Sequence, residues 1–390
     1  MSLSSTDRRT PSASRRPTHR VLYLTSGVFD KGGISRYCRY QLLALRELLG
    51  TERVTALSLL PPESRGFEVP FSVDFASCGS TPLGKYLLAQ AAAGMVAQHR
   101  PTLLWCGHVY LAPLALALAR IARIPLVLNV YAAELWTNLT WVRRQALRWS
   151  DVVVSDCNAS LDFMLKNGLR SQANNFVHWD CVDLARFSPG PDDGVLAEYG
   201  VPAANGSVRI LSLGRLDVYK GFDRLIDAVA GLAQDCSTQL VIVGKGACRA
   251  ELEERVQRLG LQARVFFTGA VSEADLPRVY RSCDLFSLVT DADGPGRGEG
   301  IPLTPLEAAA CGKPIIVGNR DGSREAAEHG RSGFVLDPHD QESMIESLRT
   351  LIRDPQLRES FGAVGRSRIE KEHSFERFRA HIGDLLESLD

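Results

Sequence analysis

The sequence predicts an α/β protein of two domains, each built on a doubly wound parallel sheet. Apolar runs of strand length alternate with stretches of helical spacing, which is typical of parallel sheets covered by helices on both faces. The alternation begins twice, at Arg20 and at Val208, on either side of a passage rich in Gly, Pro and Asp that ends at Gly206. A chain of 390 residues is long enough for two domains of ordinary size.

These features divide the chain into five parts. A tail rich in Ser, Thr, Arg and Pro covers residues 1–19 and is expected to be disordered. The first domain is predicted over 20–187, a linker over 188–206 and the second domain over 207–372. A last helix with a stripe of apolar residues covers 373–390.

Charge and cysteine usage argue against several classes of protein. The formal net charge is +0, so no overall field favours nucleic acid or a membrane. The nine cysteines are scattered and never form a C-x-x-C pair, which indicates a reducing compartment and neither disulfides nor zinc. No apolar run approaches the roughly 20 residues of a spanning helix, and the tail lacks the apolar core of a secretory signal. We therefore expect a cytoplasmic protein.

The first domain shows strand–helix alternation from its start. Strands are predicted at 20–25, 54–60, 102–106, 126–130 and 152–155. A helix is predicted over 34–49, after a turn that contains two adjacent glycines. Ligands of such sheets bind beyond the carboxyl ends of the strands. His108, just after one strand, is therefore either a site residue or an ordinary loop histidine.

The stretch from Leu139 to Trp149 has the spacing of an amphipathic helix. It carries Arg143, Arg144 and Arg148 close to several tryptophans. One interpretation is a helix that lies in a membrane interface. The other, which we expect, is a solvated surface helix that packs Trp149 inward.

The second domain opens with a strand over 208–213 and the sequence G-R-L-D-V-Y-K-G. Arg215 and Lys220 of this sequence follow the carboxyl end of the strand, and a helix begins at Phe222. Two cations at that position can neutralise a diphosphate leaving group as its charge develops. They can equally be two solvated loop charges.

A glycine- and proline-rich loop runs into a further predicted helix. Thr304 suits the N-cap, Pro305 the first helical position, and Glu307 completes a capping box. Gly312 is expected to end the helix, and residues 314–317 read as a buried strand.

The start of this predicted helix is a candidate anion site, since free N–H groups and the helix dipole both favour phosphate there. The candidate backbone donors are Gly300, Ile301, Leu303 and Thr304. Glu299 and Glu307 flank the site and can accept hydrogen bonds from sugar hydroxyls. This combination suggests a phosphorylated sugar as ligand; an ordinary capped helix after a loop is the alternative.

The same stretch, E-G-I-P-L-T-P-L-E-A-A-A-C-G-K-P, resembles the signature of the retaining glycosyltransferases of the GT-B fold, family 4. Their pattern is E-G-x-G-x-x-x-x-E-A-x-A-x-G-x-P, and Pro302 stands here where glycine is usual. The resemblance implies two Rossmann-like domains that face a cleft. It also implies that the nucleotide sugar binds the second domain, the acceptor binds the first, and the last helix crosses back to the first domain.

The resemblance further implies roles for residues of the second domain. Family members carry the G-R-x-x-x-x-K-G motif with both cations on the donor diphosphate, which here are Arg215 and Lys220. Glu299 would hold hydroxyls of the donor sugar and Glu307 the ribose. Gly269 to Val271 would present backbone to the nucleotide base.

In the first domain, the family carries two glycines at the first strand–helix turn, where they face the donor diphosphate and the acceptor. These glycines are Gly32 and Gly33, which makes Arg36 and Tyr37 candidate acceptor contacts. His108 is a third candidate for that role. Tyr131 stands where many members have a histidine that supports charge at the anomeric carbon, and a tyrosine is no proton acceptor near neutral pH.

The function expected from this resemblance is transfer of a hexosyl unit from a nucleotide-diphosphate sugar to a hydroxyl acceptor, with retention of configuration. No cofactor is expected. Asp291 and Asp293 form the Asp-x-Asp metal signature of the other major glycosyltransferase fold. We expect no metal, because Arg215 and Lys220 already supply the positive charge that a metal would bring.

Alternative functions are a nucleotide-sugar epimerase, a phosphorylase or a protein that binds nucleotide sugars without turnover. Partners expected are the nucleotide sugar and the acceptor, with peripheral contact to the inner face of a membrane as a further option and no nucleic acid. The base, the sugar and the acceptor are left open by the sequence.

Overall fold

The computed structural model describes residues 18–30, 32–62, 72–75, 79–136, 139–292, 294 and 297–389. The predicted tail lies outside these residues except for its last two, and Asp293 lies outside them as well. The described chain forms two parallel-sheet α/β domains, which confirms the predicted fold class.

The first domain contains a parallel sheet of seven strands in the order β3-β2-β1-β4-β5-β6-β7. The strands are β1 (Val21–Thr25), β2 (Val54–Ser58), β3 (Asp74–Phe75), β4 (Leu103–Cys106), β5 (Leu126–Val130), β6 (Val152–Ser155) and β7 (Asn175–Val177). The five predicted strands are confirmed, whereas β3 and β7 were not predicted. The strand order reverses between β1 and β4, and crevices at such reversals are where ligands of open sheets bind.

In the part of the first domain that the structure describes, six helices cover the two faces of this sheet. They are α1 (Gly33–Leu49), α2 (Pro82–His99), α3 (Ala112–Ala122), α4 (Ala132–Leu135), α5 (Trp141–Trp149) and α6 (Asn158–Lys166). Helices α2, α3 and α5 share one apolar core on one face, and α1 packs on the other face.

The predicted inward packing of Trp149 is wrong. Trp149 is 56% exposed, and the residues that α5 buries are Ala146 and Leu147. The helix has only nine residues, so its buried stripe is short, and Trp149 is its last residue. Leu147 fills the position against α3 and the sheet instead.

The second domain contains a parallel sheet of six strands in the order β10-β9-β8-β11-β12-β13. The strands are β8 (Val208–Leu213), β9 (Thr238–Val243), β10 (Val265–Gly269), β11 (Leu285–Leu288), β12 (Ile315–Gly318) and β13 (Gly333–Leu336). Its helices are α7 (Phe222–Leu232), α8 (Arg249–Arg258), α9 (Leu276–Arg281), α10 (Leu303–Ala310), α11 (Gln341–Arg353) and α12 (Pro355–Glu372).

The last helix, α13 (Phe375–Glu387), leaves the second domain and packs against α1 of the first. Its buried residues Phe378, Ile382 and Leu386 share a core with residues of α1 and β1. The backbone carbonyl of Phe378 also lies 2.9 Å from Nε2 of His178, the residue directly after β7 of the first domain. Both ends of the second domain are therefore tied to the first.

Candidate functional site

Two adjoining cavities lie between the domains, at the carboxyl ends of both sheets. Their volumes are about 440 and 500 Å³, and we call them cavity 1 and cavity 2. The residues that line both cavities are Gly32, Gly33, Arg215, Glu299, Pro302 and Leu303. Because residues of both domains form these walls, the cavities depend on the way in which the domains meet.

Lys220 and Glu299 form an ion pair in the wall of cavity 2. Nζ of Lys220 lies 2.8 Å from Oε1 of Glu299, and the hydroxyl of Tyr219 donates to the same oxygen at 2.7 Å. Lys220 is only 10% exposed and Glu299 is 23% exposed. A buried ammonium and a carboxylate are thus held side by side at the cavity wall.

The turn that presents Lys220 requires glycine at the next position. Gly221 has φ of +72°, and a Cβ atom there would lie 2.3 Å from the carbonyl oxygen of Val289. An L-residue would therefore meet both backbone strain and a backbone clash. This glycine allows β8, the short turn after it and α7 to follow one another within a few residues.

Arg215 is more accessible than Lys220. Its side chain is 69% exposed, and Nε lies 2.5 Å from Oδ2 of Asp217. Hydrogen bonding to Tyr219 is the main cause that raises the pKa of Arg215. The side chain lines both cavities. Most of its surface is exposed to solvent, so it can turn toward an anion.

Asp321 fixes the loop that carries Glu299. Its Oδ2 accepts hydrogen bonds from the backbone N–H of Glu299 and from the hydroxyl of Thr290, each at 2.9 Å. Burial raises the pKa of Asp321, although these hydrogen bonds act in the opposite direction. The backbone N–H of Gly322 in turn donates to the carbonyl of Glu299 at 3.0 Å.

The predicted capping box at α10 is wrong. The helix begins at Leu303, so Thr304 is its second residue and Pro302 precedes it. Glu307 does not turn back to the helix start, because Oε1 lies 2.7 Å from Nη1 of Arg36 and Oε2 accepts the hydroxyl of Tyr280 at 2.7 Å. A charge-assisted bond to a guanidinium is stronger than a bond to a backbone N–H, which explains the preference.

The hydroxyl of Thr304 is a buried polar group without a partner. Among the described residues, no group forms a hydrogen bond with its oxygen. Thr304 lines cavity 2 together with Lys220 and Glu307. Buried hydroxyls are normally bonded, so this one marks a position where a ligand can supply the missing partner.

Cavity 1 contains two carboxylates that the sequence analysis missed, the half-buried Asp156 and the buried Asp180. Burial raises the pKa of each to about 7. Asp156 accepts the hydroxyl of Ser160 at 2.9 Å, and Asp180 accepts the backbone N–H of Cys181 at 2.8 Å. Asp156 directly follows β6, a strand-end position that could have drawn attention to it.

Many of the residues that line cavity 2 lie in a segment that matches a known protein family. Residues 201–368 match the model of the family described as Glycosyl transferases group 1. We call residues 201–368 the group 1 segment. The group 1 segment contains Arg215, Lys220, Glu299 and Glu307, so the residues that wall cavity 2 from the second domain all fall within it.

Two curated relatives illustrate the similarity. The GDP-mannose-dependent alpha-(1-6)-phosphatidylinositol monomannoside mannosyltransferase of Mycolicibacterium smegmatis is 32% identical over 187 residues, 47% of this chain and 49% of the relative. The mannosylfructose-phosphate synthase of Agrobacterium fabrum is 37% identical over 240 residues, 58% of this chain and 50% of the relative. The chain thus spans about half the length of the curated relatives it matches.

Solved structures extend the similarity to both domains. HepE of Anabaena, in complex with UDP-glucose, superposes with a TM-score of 0.76 at 20% identity and covers 95% of this chain and 100% of its own. Sucrose-phosphate synthase of Thermosynechococcus elongatus has the same TM-score at 19% identity, with coverage of 95% and 99%. The chain has the GT-B fold, in which the group 1 segment forms most of the second domain.

Most of the predicted site residues line the two cavities. Those found there are Gly32, Gly33, Arg36, Tyr37, Tyr131, Arg215, Lys220, Glu299, Gly300, Ile301, Leu303, Thr304 and Glu307. Arg36 lines cavity 2, next to the cations of the group 1 segment, and not cavity 1. The hydroxyl of Tyr37 donates to the carbonyl of His178 at 2.7 Å, so it is already used within the chain.

Tyr131 reaches cavity 1 in a neutral, buried form. Burial raises its pKa well above the ordinary value of a tyrosine. Its hydroxyl lies 3.4 Å from Nδ2 of Asn129 and 3.7 Å from Sγ of Cys38. Its ring packs edge-on against Tyr37 with the centroids 5.6 Å apart. The side chain can line a sugar pocket but cannot accept a proton there.

Three predicted residues line neither cavity. His108 is buried, and its Nδ1 lies 2.5 Å from Oε1 of Glu134 while its ring stacks on Tyr110. The contacts agree with the interpretation of His108 as a structural loop histidine. Gly269 and Val271 lie apart from both cavities, and the carbonyl of Gly269 accepts the N–H of Gly244 at 2.8 Å.

The first aspartate of the Asp-x-Asp sequence is engaged by neighbouring side chains. Oδ2 of Asp291 lies 3.3 Å from Nη1 of Arg224 and 3.5 Å from Nε2 of His339. Asp293 lies outside the described residues. Across the part of the chain that the structure describes, no group of three or more His, Cys, Asp or Glu side chains is arranged to hold a metal ion.

Proposed function

We propose that the chain is a retaining glycosyltransferase of family 4, which moves a hexosyl unit from a nucleotide-diphosphate sugar to a hydroxyl acceptor. The observation that carries the proposal is the contact of 2.8 Å between Lys220 and Glu299 at the wall of cavity 2. A cation for the diphosphate and a carboxylate for the sugar hydroxyls are adjacent there, as the two ends of a sugar–phosphate bond require.

In this proposal, cavity 2 receives the leaving diphosphate. Lys220 and Arg215 neutralise the charge that develops as the glycosidic bond breaks, and the unpartnered hydroxyl of Thr304 donates to a phosphate oxygen. The positive end of the α10 dipole acts in the same direction. With this charge supplied by the chain, we propose a reaction that needs no metal ion.

The sugar and the acceptor meet where the two cavities join. Glu299 lines both cavities and accepts hydrogen bonds from hydroxyls of the donor sugar. The acceptor hydroxyl approaches from cavity 1, on the face of the sugar that the diphosphate leaves, and its proton passes to the diphosphate. Closure of the domains keeps out water, which competes as acceptor.

Glu307 is proposed to hold the ribose, as in the family pattern, but its carboxylate already has partners within the chain. Both of its oxygens are engaged, one by Arg36 and the other by Tyr280. A ribose must therefore share the carboxylate with Arg36 or displace it. Arg36 would then be free to turn toward the diphosphate in the same cavity.

The names of the relatives support this function without identifying the substrates. The names of the mannosyltransferase and of the mannosylfructose-phosphate synthase describe glycosyl transfer, and HepE was solved with UDP-glucose. Because the chain covers only about half of the curated relatives, their donors and acceptors are candidates to test.

The test begins with thermal-shift measurements on the full chain with UDP-, GDP-, ADP- and dTDP-sugars, since a ligand of the folded state raises Tm. Release of nucleoside diphosphate is then measured with the stabilising donor, with and without candidate acceptors.

Lys220→Ala should reduce release by about 100-fold or more, because one preorganised charge contributes that much. Lys371→Ala, an exposed lysine of α12, is the matched control. Equal rates for Lys220→Ala and the control would refute the proposal.

A further inference from the structure

An unusual share of exposed apolar side chains lies on one layer of the first domain. Ten large hydrophobic residues are exposed in the described chain, and seven of them belong to α2, α3, α5 or the short turn before α3. The seven are Leu83, Tyr86, Tyr110, Ile121, Trp141, Val142 and Trp149. Trp141 is 70% exposed and Ile121 is 79% exposed. We call the outer surface of these helices the α2–α3–α5 face.

The helices of this face form a continuous layer. All three pack into the same core on one side of the sheet. At their starts, the guanidinium of Arg143 on α5 lies 4.2 Å from the ring centroid of Tyr110, just before α3. At their ends, Nη2 of Arg120 donates to the carbonyl of Trp149 at 2.6 Å. Helices α3 and α5 therefore run side by side in the same direction, and α2 packs next to α3.

The face is predominantly basic although the whole chain is neutral. Residues 79–150 contain one acidic residue, Glu134, which is buried. They contain seven basic ones: Lys85, Arg100, Arg120, Arg123, Arg143, Arg144 and Arg148. Helices α2, α3 and α5 carry no acidic residue at all. Asp151, shortly after the end of α5, pairs with Arg120 at 3.3 Å, so the other basic residues of this segment give the face its net positive charge.

We propose that the α2–α3–α5 face docks on an anionic lipid surface. Tryptophan and tyrosine side chains suit the boundary between headgroups and acyl chains, and arginine side chains attract acidic headgroups. A second copy of the chain is a poorer occupant, because a symmetric interface would bring together two surfaces on which basic residues outnumber acidic ones. Within the described chain, no helix is long and apolar enough to cross a membrane, so the contact is peripheral.

The face borders the candidate site. A helix that follows a strand of a parallel sheet begins at the carboxyl edge of that sheet. Leu83, Tyr86, Tyr110, Trp141 and Val142 all lie at or near the starts of their helices, and the two cavities open at the same edge. Docking through these residues therefore brings the cleft close to the lipid surface. This contact does not depend on the proposed function.

The test is co-sedimentation of the full chain with vesicles of phosphatidylcholine alone or with about 30 mol% phosphatidylglycerol. The proposal expects binding to the anionic vesicles, and weaker binding as salt is added. A basic side chain near such a surface contributes about fivefold in affinity, so Arg148→Glu, a change of two charges, should lower affinity by about 25-fold. The double variant Trp141→Ala/Trp149→Ala should lower it by about tenfold or more, through loss of interfacial burial.

Matched changes on the second domain provide the control. Arg258→Glu and Leu259→Ala alter an exposed arginine and an exposed leucine at the end of α8, and both should bind vesicles as the wild type does. The proposal would be overturned if the control variants lost as much vesicle binding as the face variants, or if the wild type did not bind anionic vesicles. It would also be overturned if light scattering showed a dimer that Trp141→Ala/Trp149→Ala dissociates. Thermal shifts by nucleotide sugars should be unchanged in the face variants, so failure of lipid docking and failure of glycosyl transfer are separable.

Discussion

Arg36 of the first domain and Glu307 of the second form an ion pair with Nη1 and Oε1 2.7 Å apart. Glu307 is almost fully buried, and Tyr280 bonds its other oxygen. Burial is the largest single effect and lowers the pKa of Arg36. The charges of Glu307 and Asp180 and the hydrogen bond to Glu307 act in the other direction, and the pKa is raised overall. The pair therefore joins the domains across the cleft and satisfies a carboxylate that would otherwise be buried without a cation.

We expect Arg36→Ala to destabilise the chain by about 2–3 kcal/mol, because it leaves the Glu307 carboxylate buried without its cation. Tm from calorimetry, or unfolding in urea, measures the loss. Glu307→Gln on its own should cost less, since a neutral amide tolerates burial better than a lone charge.

The double variant Arg36→Ala/Glu307→Gln separates pairing from packing. If the two side chains interact, the double variant is more stable than the sum of the single losses implies, by about 1–2 kcal/mol. Strictly additive losses would show that Arg36 stabilises the domain contact through packing alone.

A second contact between the domains depends on the absence of a side chain. A Cβ atom on Gly300 would lie 1.8 Å from Oδ2 of Asp156. Gly300→Ala should therefore push the Glu299 loop away from β6 and lower kcat/KM by about 100-fold, since a displacement of 1 Å at a reacting centre has that effect. Gly94→Ala is the control, because a Cβ on this helical glycine meets nothing within 4 Å. It should stabilise α2 by about 0.5–1 kcal/mol and leave kcat/KM unchanged.

The fold could be predicted because long apolar strands and helical spacing are local properties of the sequence. The predicted start and end of β5 and β6 agree with the structure to the residue. Strands β3 and β7 were missed for a physical reason. They are two and three residues long and lie at the edges of the sheet, where little apolar surface is buried and no alternating pattern is needed.

The sequence could predict those site residues that follow the end of a strand or belong to a motif, but not the contacts between distant parts of the chain. Lys220 and Glu299 are placed by local sequence, and the structure brings them together. The partner of Glu307 could not be predicted, because Arg36 is 271 residues away and competes with the helix start for the same carboxylate. The same limit applies to Asp180, whose charged neighbours Arg36, Asp156 and Glu307 come from distant parts of the sequence.

A third prediction concerns Tyr219, whose hydroxyl donates to the same Glu299 oxygen that Lys220 contacts. Tyr219→Phe should cost about 1 kcal/mol of stability and lower kcat/KM by about tenfold, because Glu299 loses one of the two groups that orient it. Tyr199→Phe is a matched control, since its hydroxyl donates to Asp275 at the same distance of 2.7 Å, away from both cavities. It should lose similar stability and keep its kcat/KM. Equal kinetic losses in both variants would show that Tyr219 acts through general stability.

The last prediction follows from the raised pKa of Asp156. Burial raises this pKa from 3.8 to about 7, so the folded chain binds the proton more tightly than the unfolded chain does. The stability that this proton contributes is complete below about pH 4 and is lost as the pH rises to about 7. Asp180 acts in the same sense. The wild type should thus lose stability between pH 4 and pH 8.

Asp156→Asn keeps the shape of the side chain and removes the titration. Its stability should fall less steeply over that interval, and at pH 8 it should exceed the wild type by about 2–4 kcal/mol, an upper range from the size of the shift. Asp235→Asn is the control with the opposite sign, because hydrogen bonding to Arg349 lowers the pKa of Asp235. That variant should show the wild-type slope between pH 5 and 8. Urea unfolding of the three proteins at several pH values measures the slopes, and parallel curves for Asp156→Asn and the wild type would show that this carboxylate is ionised in the folded chain throughout.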